Sequence, residues 1–199
     1  AHGLDHDGPV FFGSTALHLF RKCPCPVWVV GDDGRLPRRV LAAVDPSTHG
    51  SRPQTARRVL DLARRVAEWS DATLDVVSAW HAPGSDMLCG RIDEAELDAY
   101  VSDARERARG GLDAILADAG GAIAPERAHL VEGRPREVLP EFVAQHGYDL
   151  IVLGTLGRTG FAGELLGETA EMVLRAIRGS VLAVPPPVAA AAGSGGASG

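Results

Sequence analysis

Apolar positions between Arg38 and Val184 alternate between short continuous runs and stretches in which they recur every three or four residues. The continuous runs predict buried strands, and the wider spacing predicts amphipathic helices. The predicted strands are 40–45, 73–80, 127–133, 149–154 and 180–185, and the predicted helices are 55–69, 92–119, 135–147 and 168–177. This alternation predicts an α/β fold, a doubly wound parallel sheet of five strands with helices on both faces.

Two of the predicted helices contain residues that disfavour a helix. Gly110 and Gly111 weaken the long helix 92–119, because glycine loses the most conformational freedom on becoming helical. Pro140 has no amide hydrogen, so it is expected to kink the helix 135–147 or to confine it to short turns.

The first 37 residues repeat the end of the predicted domain. GSTALHLFRKCPCPVWVVGDDG at 13–34 parallels GETAEMVLRAIRGSVLAVPPPV at 167–188, since both begin Gly-x-Thr-Ala and run through a helix into a valine-rich strand. Such a repeat predicts two related units. Residues 1–37 are therefore interpreted as the remnant of a first domain, its last helix and strand plus a linker. A complete domain follows at 38–185, and then a disordered tail at 186–199, rich in Ala, Gly and Ser.

The composition is that of a globular protein with an acidic balance. Of 199 residues, 20 are Lys or Arg and 26 are Asp or Glu, which gives a formal charge of −6. Nucleic acids and anionic membrane surfaces bind basic faces, so neither partner is expected. No apolar run reaches the roughly 18 residues of a membrane-spanning helix. Three cysteines do not make a disulfide framework, so reduced thiols and a cytoplasmic location are expected. The start at Ala1, without a signal-peptide pattern, is consistent with a processed chain or a fragment.

A glycine-rich segment follows the most apolar of the predicted strands. After 149–154 the chain has the spacing Gly154-x-x-Gly157-x9-Gly167 and then enters a helix. Ligands of doubly wound sheets bind beyond the carboxyl ends of the strands, and helix N-termini favour anions. Asp45, at the end of the first strand, would accept a hydrogen bond from a ribose hydroxyl or an adenine amine. A nucleotide pocket is one interpretation, and a tight strand–helix connection without a ligand is the other. The sequence has no Walker A motif.

The same segments resemble the universal stress protein family. The glycine spacing, VLAAVD at 40–45 and DLIVLG at 149–154 carry the resemblance over residues 38–185, and LFRKCPCPVWVV at 19–30 is similar to the tandem, E-type members. The resemblance implies a Rossmann-like sheet in the order 3-2-1-4-5, a cytoplasmic location and a role in stress survival. It also implies dimers or tandem domains that pair through the last strand, and it implies that some members bind ATP while others do not.

The resemblance further implies a nucleotide site at Val44, Asp45, Ala79, Leu153, Gly154, Gly157, Arg158, Gly167, Glu168 and Thr169. In ATP-binding members, Ser or Thr usually follows the third glycine, whereas this chain has Glu168 there and Thr169 one residue later. Two like charges about 4 Å apart repel by on the order of 1 kcal/mol in water, and by more when partly desolvated. Glu168 would therefore repel a triphosphate, and Arg158 would offset part of this repulsion. ATP is the one cofactor that the resemblance implies, on the condition that Glu168 does not prevent its binding.

Other reactive residues follow weaker patterns. Cys23-Pro24-Cys25 is compatible with a metal or redox site, but a structural role is favoured because no second Cys or His pair is nearby. His49 and His81 follow the first two strands, where they would contact a ligand or serve as ordinary loop residues. An apolar ligand is a further interpretation, although packing or assembly is the favoured role of the residues that suggest it, Leu156, Phe161, Leu165 and Leu166. No Ser-His-Asp, Cys-His or paired-carboxylate pattern indicates a catalytic centre.

These features predict a stress-response module that senses a ligand or binds a partner, without a catalytic centre and without a metal. The alternative is an ATP-binding protein with weak hydrolysis or nucleotide-dependent switching. Strand 26–30 is expected to pair with 180–184, either within the chain or in a homodimer, because an exposed apolar strand edge favours association.

Overall fold

The computed structural model describes residues 14–31, 34–45, 52–118, 123–155, 167–176 and 179–187. Its helices are α1 (Ser14–Lys22), α2 (Arg52–Ser70), α3 (Ser85–Leu88), α4 (Glu94–Asp118), α5 (Pro135–His146) and α6 (Glu168–Ala176). Its strands are β1 (Val27–Val29), β2 (Arg39–Ala43), β3 (Thr73–Trp80), β4 (Ala128–Glu132), β5 (Leu150–Gly154) and β6 (Ser180–Val184). Every strand and helix predicted between 38 and 185 is present with similar bounds, whereas the one-turn helix α3 is not predicted by the apolar pattern.

The strands form one sheet in the order β1-β6-β5-β2-β3-β4, in which β2 to β6 are parallel. Counted from β2, this is the 3-2-1-4-5 order that the resemblance implied. β2 lies between β3 and β5, with Ala43 level with Val77 on one side and with Leu153 on the other. The chain winds away from β2 through β3 and β4 and then returns to its other side through β5 and β6. The reversal of winding therefore falls between β2 and β5.

Two apolar layers cover the sheet, because successive residues of a strand point to opposite faces. Val40, Ala42 and Val44 pack with buried residues of α2 and α4. Leu41 packs with buried residues of α1, α5 and α6 on the other face. β5 is apolar on both faces, and its first four residues are buried. The parallel sheet is thus covered on both sides, as parallel sheets generally are.

Pro140 does not confine α5 to short turns. α5 runs from Pro135 to His146 with Pro140 inside it, and Gly147, at φ +60°, ends it. Proline costs the helix one backbone hydrogen bond, but the buried side chains of Leu139 and Val143 hold α5 in the core. The free energy of that burial outweighs the loss. α4 likewise continues across both of its glycines.

β1 adds a sixth strand to the sheet and is antiparallel to β6, with Trp28 opposite Leu182. The expected pairing of 26–30 with 180–184 therefore occurs within one chain. α1 packs on the sheet through Phe20, which is only 3% exposed. On the opposite face, Trp28 meets Trp69 of α2 edge-on, with ring centroids 6.4 Å apart. The α1–β1 unit is thus held on both faces of the sheet.

Most of the predicted tail, residues 188–199, lies outside the described residues. Its disorder and the division of the chain at residue 37 stay predictions. Among the helices that the structure describes, none combines the length and the apolar character that crossing a membrane requires.

Candidate functional site

The end of β2 lies at the reversal of winding, where the sequence places the first candidate residues. The amide of Val44 donates a hydrogen bond of 2.9 Å to the carbonyl oxygen of Val77, which ends the ladder between β2 and β3. Val44 is buried, whereas Asp45 is exposed. Because Ala43 pairs with Val77 in the parallel ladder, Asp45 and Ala79, each two residues further on, lie at about the same level on neighbouring segments of the chain. A carboxylate and a small half-buried side chain are thus neighbours at this edge.

Gly154, the first glycine of the motif, ends β5 next to α2. A Cβ atom at this position would lie 3.1 Å from the Cγ2 methyl group of Thr55, which is closer than most packed Cβ contacts. Leu153, the residue before it, is buried in the opposite layer. Glycine at position 154 therefore allows α2 to pack tightly on β5, whether or not a ligand binds.

Gly167, the third glycine, lies directly before α6 and closes the glycine-rich connection. Its amide donates a hydrogen bond of 2.8 Å to the carbonyl oxygen of Thr155, and its own carbonyl accepts the amide of Glu171. Thr155 is buried, and its amide donates to the carbonyl oxygen of Val184 at 3.0 Å. Thr155 and Gly167, which flank the segment 156–166, are thus linked to each other and to the carboxyl end of β6. The amide of Gly167 is hydrogen-bonded within the chain, and its predicted role in binding a phosphate stays a prediction.

The structure brings part of the predicted nucleotide site together. At the carboxyl edge lie Val44, Asp45, Ala79, Leu153, Gly154 and Gly167, with Thr169 half-buried in the first turn of α6. Glu168 begins α6. Gly157, Arg158 and the four apolar residues of the loop lie outside the described residues, as does His49. Their proposed roles stay predictions.

The carboxyl edge also carries a cation, Arg58, that the sequence does not predict. The guanidinium of Arg58, in α2, donates a hydrogen bond of 2.9 Å to the carbonyl oxygen of Pro185, the residue that follows β6. Arg58 lies on the helix one turn after Thr55, the residue that packs against Gly154. Nothing in the sequence distinguishes it from the other arginines of α2, because its position depends on how α2 packs across β5 and β6.

The other acidic and histidine residues do not gather into a reactive centre in the part of the chain that the structure describes. Glu141 accepts a hydrogen bond of 3.0 Å from Gln145, within its own helix. His129 packs against the ring of Phe142, with centroids 5.2 Å apart. His81 is half-buried directly after β3. Across the described ranges, no three His, Cys, Asp or Glu residues come together as a metal site would need.

At the opposite edge of the sheet, a buried tyrosine has a perturbed pKa. Burial raises the pKa of Tyr148 to about 12, and the charge of Asp75 and a hydrogen bond with it contribute to the rise. Arg39 lies over the ring, with its guanidinium carbon 4.8 Å from the centroid. Arg127 stands 3.9 Å from the carboxylate of Asp75. This edge contains the amino ends of the strands, so the network belongs to the structural end of a doubly wound sheet and not to its ligand edge.

Comparisons with known proteins point to one family. The sequence profile of the universal stress protein family matches residues 37–185. Universal stress protein E of Salmonella typhi is 30% identical over 192 residues, which cover 94% of this chain and 59% of that protein. The universal stress protein E homolog of Haemophilus influenzae is 31% identical over 180 residues, covering 89% and 57%. The chain therefore spans less than two thirds of the length of these relatives.

Solved structures agree with the fold. A structure assigned to the universal stress proteins from Pseudomonas aeruginosa UCBPP-PA14 has a TM-score of 0.68 and 27% identity, covering 94% of this chain and 62% of that one. A universal stress protein from Archaeoglobus fulgidus has a TM-score of 0.58 and 20% identity, covering 93% and 60%. The second likeness concerns the fold alone.

Proposed function

Because the chain belongs to the universal stress protein family, we propose that it is a non-catalytic stress-response module that senses a small ligand at the carboxyl edge of its sheet. The observation that carries the proposal is the reversal of winding between β2 and β5, which places Asp45 and the start of α6 at one edge. A crevice at such a reversal is where doubly wound sheets bind ligands. The proposal assigns the module to the cytoplasm, as the resemblance implies.

The chemistry of this edge favours a nucleoside with few phosphates over a nucleoside triphosphate. Asp45 would accept hydrogen bonds from a ribose or an amino group, and Ala79 leaves room beside it. Two groups at this edge are poorly suited to binding phosphates. The amide of Gly167 is already hydrogen-bonded to Thr155, and Glu168 adds a negative charge to the first turn of α6.

Thermal unfolding with a nucleotide panel tests this proposal. Adenosine and AMP at millimolar concentration are expected to raise the Tm by several degrees, because a ligand that binds only the folded state stabilises it. Asp45→Asn is expected to remove this rise. Asp113→Asn is the matched control, since Asp113 is exposed near the C-terminal end of α4, away from the carboxyl edge. No rise with any nucleoside or nucleotide, or an equal rise in both variants, would overturn the assignment of the site.

An ATP-binding protein with weak hydrolysis is the second candidate. It is favoured by Thr169, whose hydroxyl lies in the first turn of α6 near the position that family members use for Ser or Thr. In this case Glu168→Ser should increase the affinity for MgATP in a calorimetric titration, because it removes a like charge. An unchanged affinity would show that charge repulsion is not the obstacle.

We also propose that α1 and β1 are the last helix and strand of a first family domain. Support comes from the parallel between 13–34 and 167–188, and from the equal length of α1 and α6, nine residues each. β1 lies at one edge of the described sheet, so no strand among the described residues pairs with its outer side. Association of two chains through this edge is the homodimer that we propose. Light scattering that gives a monomer mass across the micromolar range would contradict it.

A further inference from the structure

The turn between α1 and β1 brings two thiols together. The sulfur atoms of Cys23 and Cys25 are 3.1 Å apart and share a hydrogen bond. Both are free thiols, with Cys25 exposed and Cys23 partly exposed. The third cysteine, Cys89, is exposed and follows α3. That segment comes after β3, which is four strands away from β1, or roughly 19 Å at the usual strand spacing.

The structure holds this turn firmly on both sides. The amide of Cys23 donates a hydrogen bond of 2.9 Å to the carbonyl oxygen of Leu19, which fixes the cysteine to the end of α1. Phe20 anchors that helix in the core, and β1 is paired with β6. Pro24 separates the thiols and restricts the backbone between them, because its ring fixes φ. The two sulfur atoms are thus kept within reach of each other without closing any long loop.

The hydrogen bond also makes the two thiols unequal. The hydrogen bond with Cys25 lowers the pKa of Cys23, and the same interaction raises the pKa of Cys25. The basic residues Arg21 and Lys22 immediately precede the pair. Basic neighbours favour the thiolate, which is the nucleophile in thiol–disulfide exchange. The attack is therefore assigned to Cys23, which directly follows Lys22, and the resolving step to Cys25.

We propose that Cys23 and Cys25 are a redox-active dithiol that small disulfides oxidise to an intramolecular disulfide. The thiolate of Cys23 attacks one sulfur of a disulfide R–S–S–R, which forms a mixed disulfide and releases R–S⁻. The sulfur of Cys25, on losing its proton, then attacks Cys23 and releases the second R–S⁻. The two thiol protons end on the two R–SH molecules. The two cysteines are oxidised by two electrons, and the small disulfide is reduced by two.

The product is expected to be readily reversible. A disulfide that spans one intervening residue in an exposed turn has little freedom to reach unstrained geometry, and strained or exposed disulfides are the labile ones. Because α1 and β1 are each anchored separately, oxidation should change the turn and leave the fold intact. A closed zinc site is disfavoured, since it needs four ligands and the described residues offer no third His, Cys, Asp or Glu beside the pair.

Mass spectrometry of the full-length chain tests this proposal in the Cys89→Ser background, which removes the third thiol. The reduced protein is treated with oxidised glutathione, quenched in acid, alkylated and analysed as the intact chain and as peptides. The expected product has lost two hydrogens, binds no alkylating reagent at Cys23 or Cys25, and regains both thiols with dithiothreitol. Adding Cys25→Ser should instead trap one glutathione on Cys23, because the resolving thiol is missing.

Other products would overturn the proposal. These are two alkylated cysteines after oxidant treatment, one glutathione on each of the two cysteines, or disulfide-linked dimers. The intact-mass measurement on the parent protein needs no substitution in the turn, so a variant that folds poorly does not affect the result. The readout follows the mass and the alkylation of Cys23 and Cys25 and requires no nucleoside, which keeps this test independent of the proposed function.

Discussion

Gly154 lies against Thr55, so closely that a Cβ atom on the glycine would come within 3.1 Å of the threonine methyl group. The first glycine of the motif therefore has a packing role of its own. This contact joins the end of β5 to the first turns of α2, two elements that meet at the proposed ligand edge. Substitution of Thr55 therefore distinguishes a packing role of Gly154 from a ligand-binding role, because only the packing role depends on the threonine methyl group.

Gly154→Ala is expected to destabilise the protein by about 1 kcal/mol, because the added methyl group overpacks the contact with α2. The measurement is urea unfolding of the variant and of the double variant Gly154→Ala/Thr55→Ser. Thr55→Ser removes the opposing methyl group and keeps the hydroxyl, so the double variant should recover most of the loss. An equal loss of stability in both backgrounds would show that Thr55 is not the cause.

Gly133→Ala is expected to cost more, on the order of 2 kcal/mol or above. Gly133 follows β4 with φ +132°, a conformation that side chains strongly disfavour, and an added Cβ would overlap the Cγ1 atom of Val138. The control is Gly147→Ala, where φ is +60° and no atom lies within 4 Å of the new Cβ. If the two variants unfold at the same urea concentration, the steric argument at Gly133 is wrong.

Tyr148 should make the stability of the protein depend on alkaline pH. Its folded-state pKa is about 12, whereas a tyrosine in an unfolded chain titrates near 10. Below pH about 10 the stabilisation is fully present, and it is lost as the pH rises toward 12, because the unfolded state releases the proton first. Unfolding free energies of the wild type should therefore fall more steeply over this interval than those of Tyr148→Phe. Parallel curves would contradict the raised pKa.

The edge-on contact between Trp28 and Trp69 predicts that β1 and α2 stabilise each other within one chain. Trp28→Ala and Trp69→Ala, measured singly and together, should give a coupling free energy of about 0.5–1.5 kcal/mol. Trp69 is 65% exposed, so its single substitution should cost little, and that of the half-buried Trp28 more. Strict additivity would indicate that β1 does not pack on its own chain in solution.

Much of the fold can be predicted from the sequence because the patterns that indicate strands and helices are local. The run LIVL in β5 indicates a strand covered on both faces, and the helices between the strands reveal themselves by their spacing. α5 continues past Pro140 because Leu139 and Val143 are buried around it, which a local rule about one backbone hydrogen bond does not take into account. The sequence predicts the candidate site only in outline, as an aspartate and three glycines near strand ends.

The sequence by itself determined the alternation of strands and helices, the apolar core strands and the repeat between residues 13–34 and 167–188. These follow from burial and backbone periodicity, which neighbouring residues share. Only the tertiary structure decided that Asp149 would accept the amides of Arg38 and Arg39, each at 2.8 Å, and that Gly167 would be bonded to Thr155. It also decided that Arg58 would reach Pro185 across the edge of the sheet. Such contacts depend on strand order and helix packing, which bring together residues whose separation along the chain leaves no local pattern.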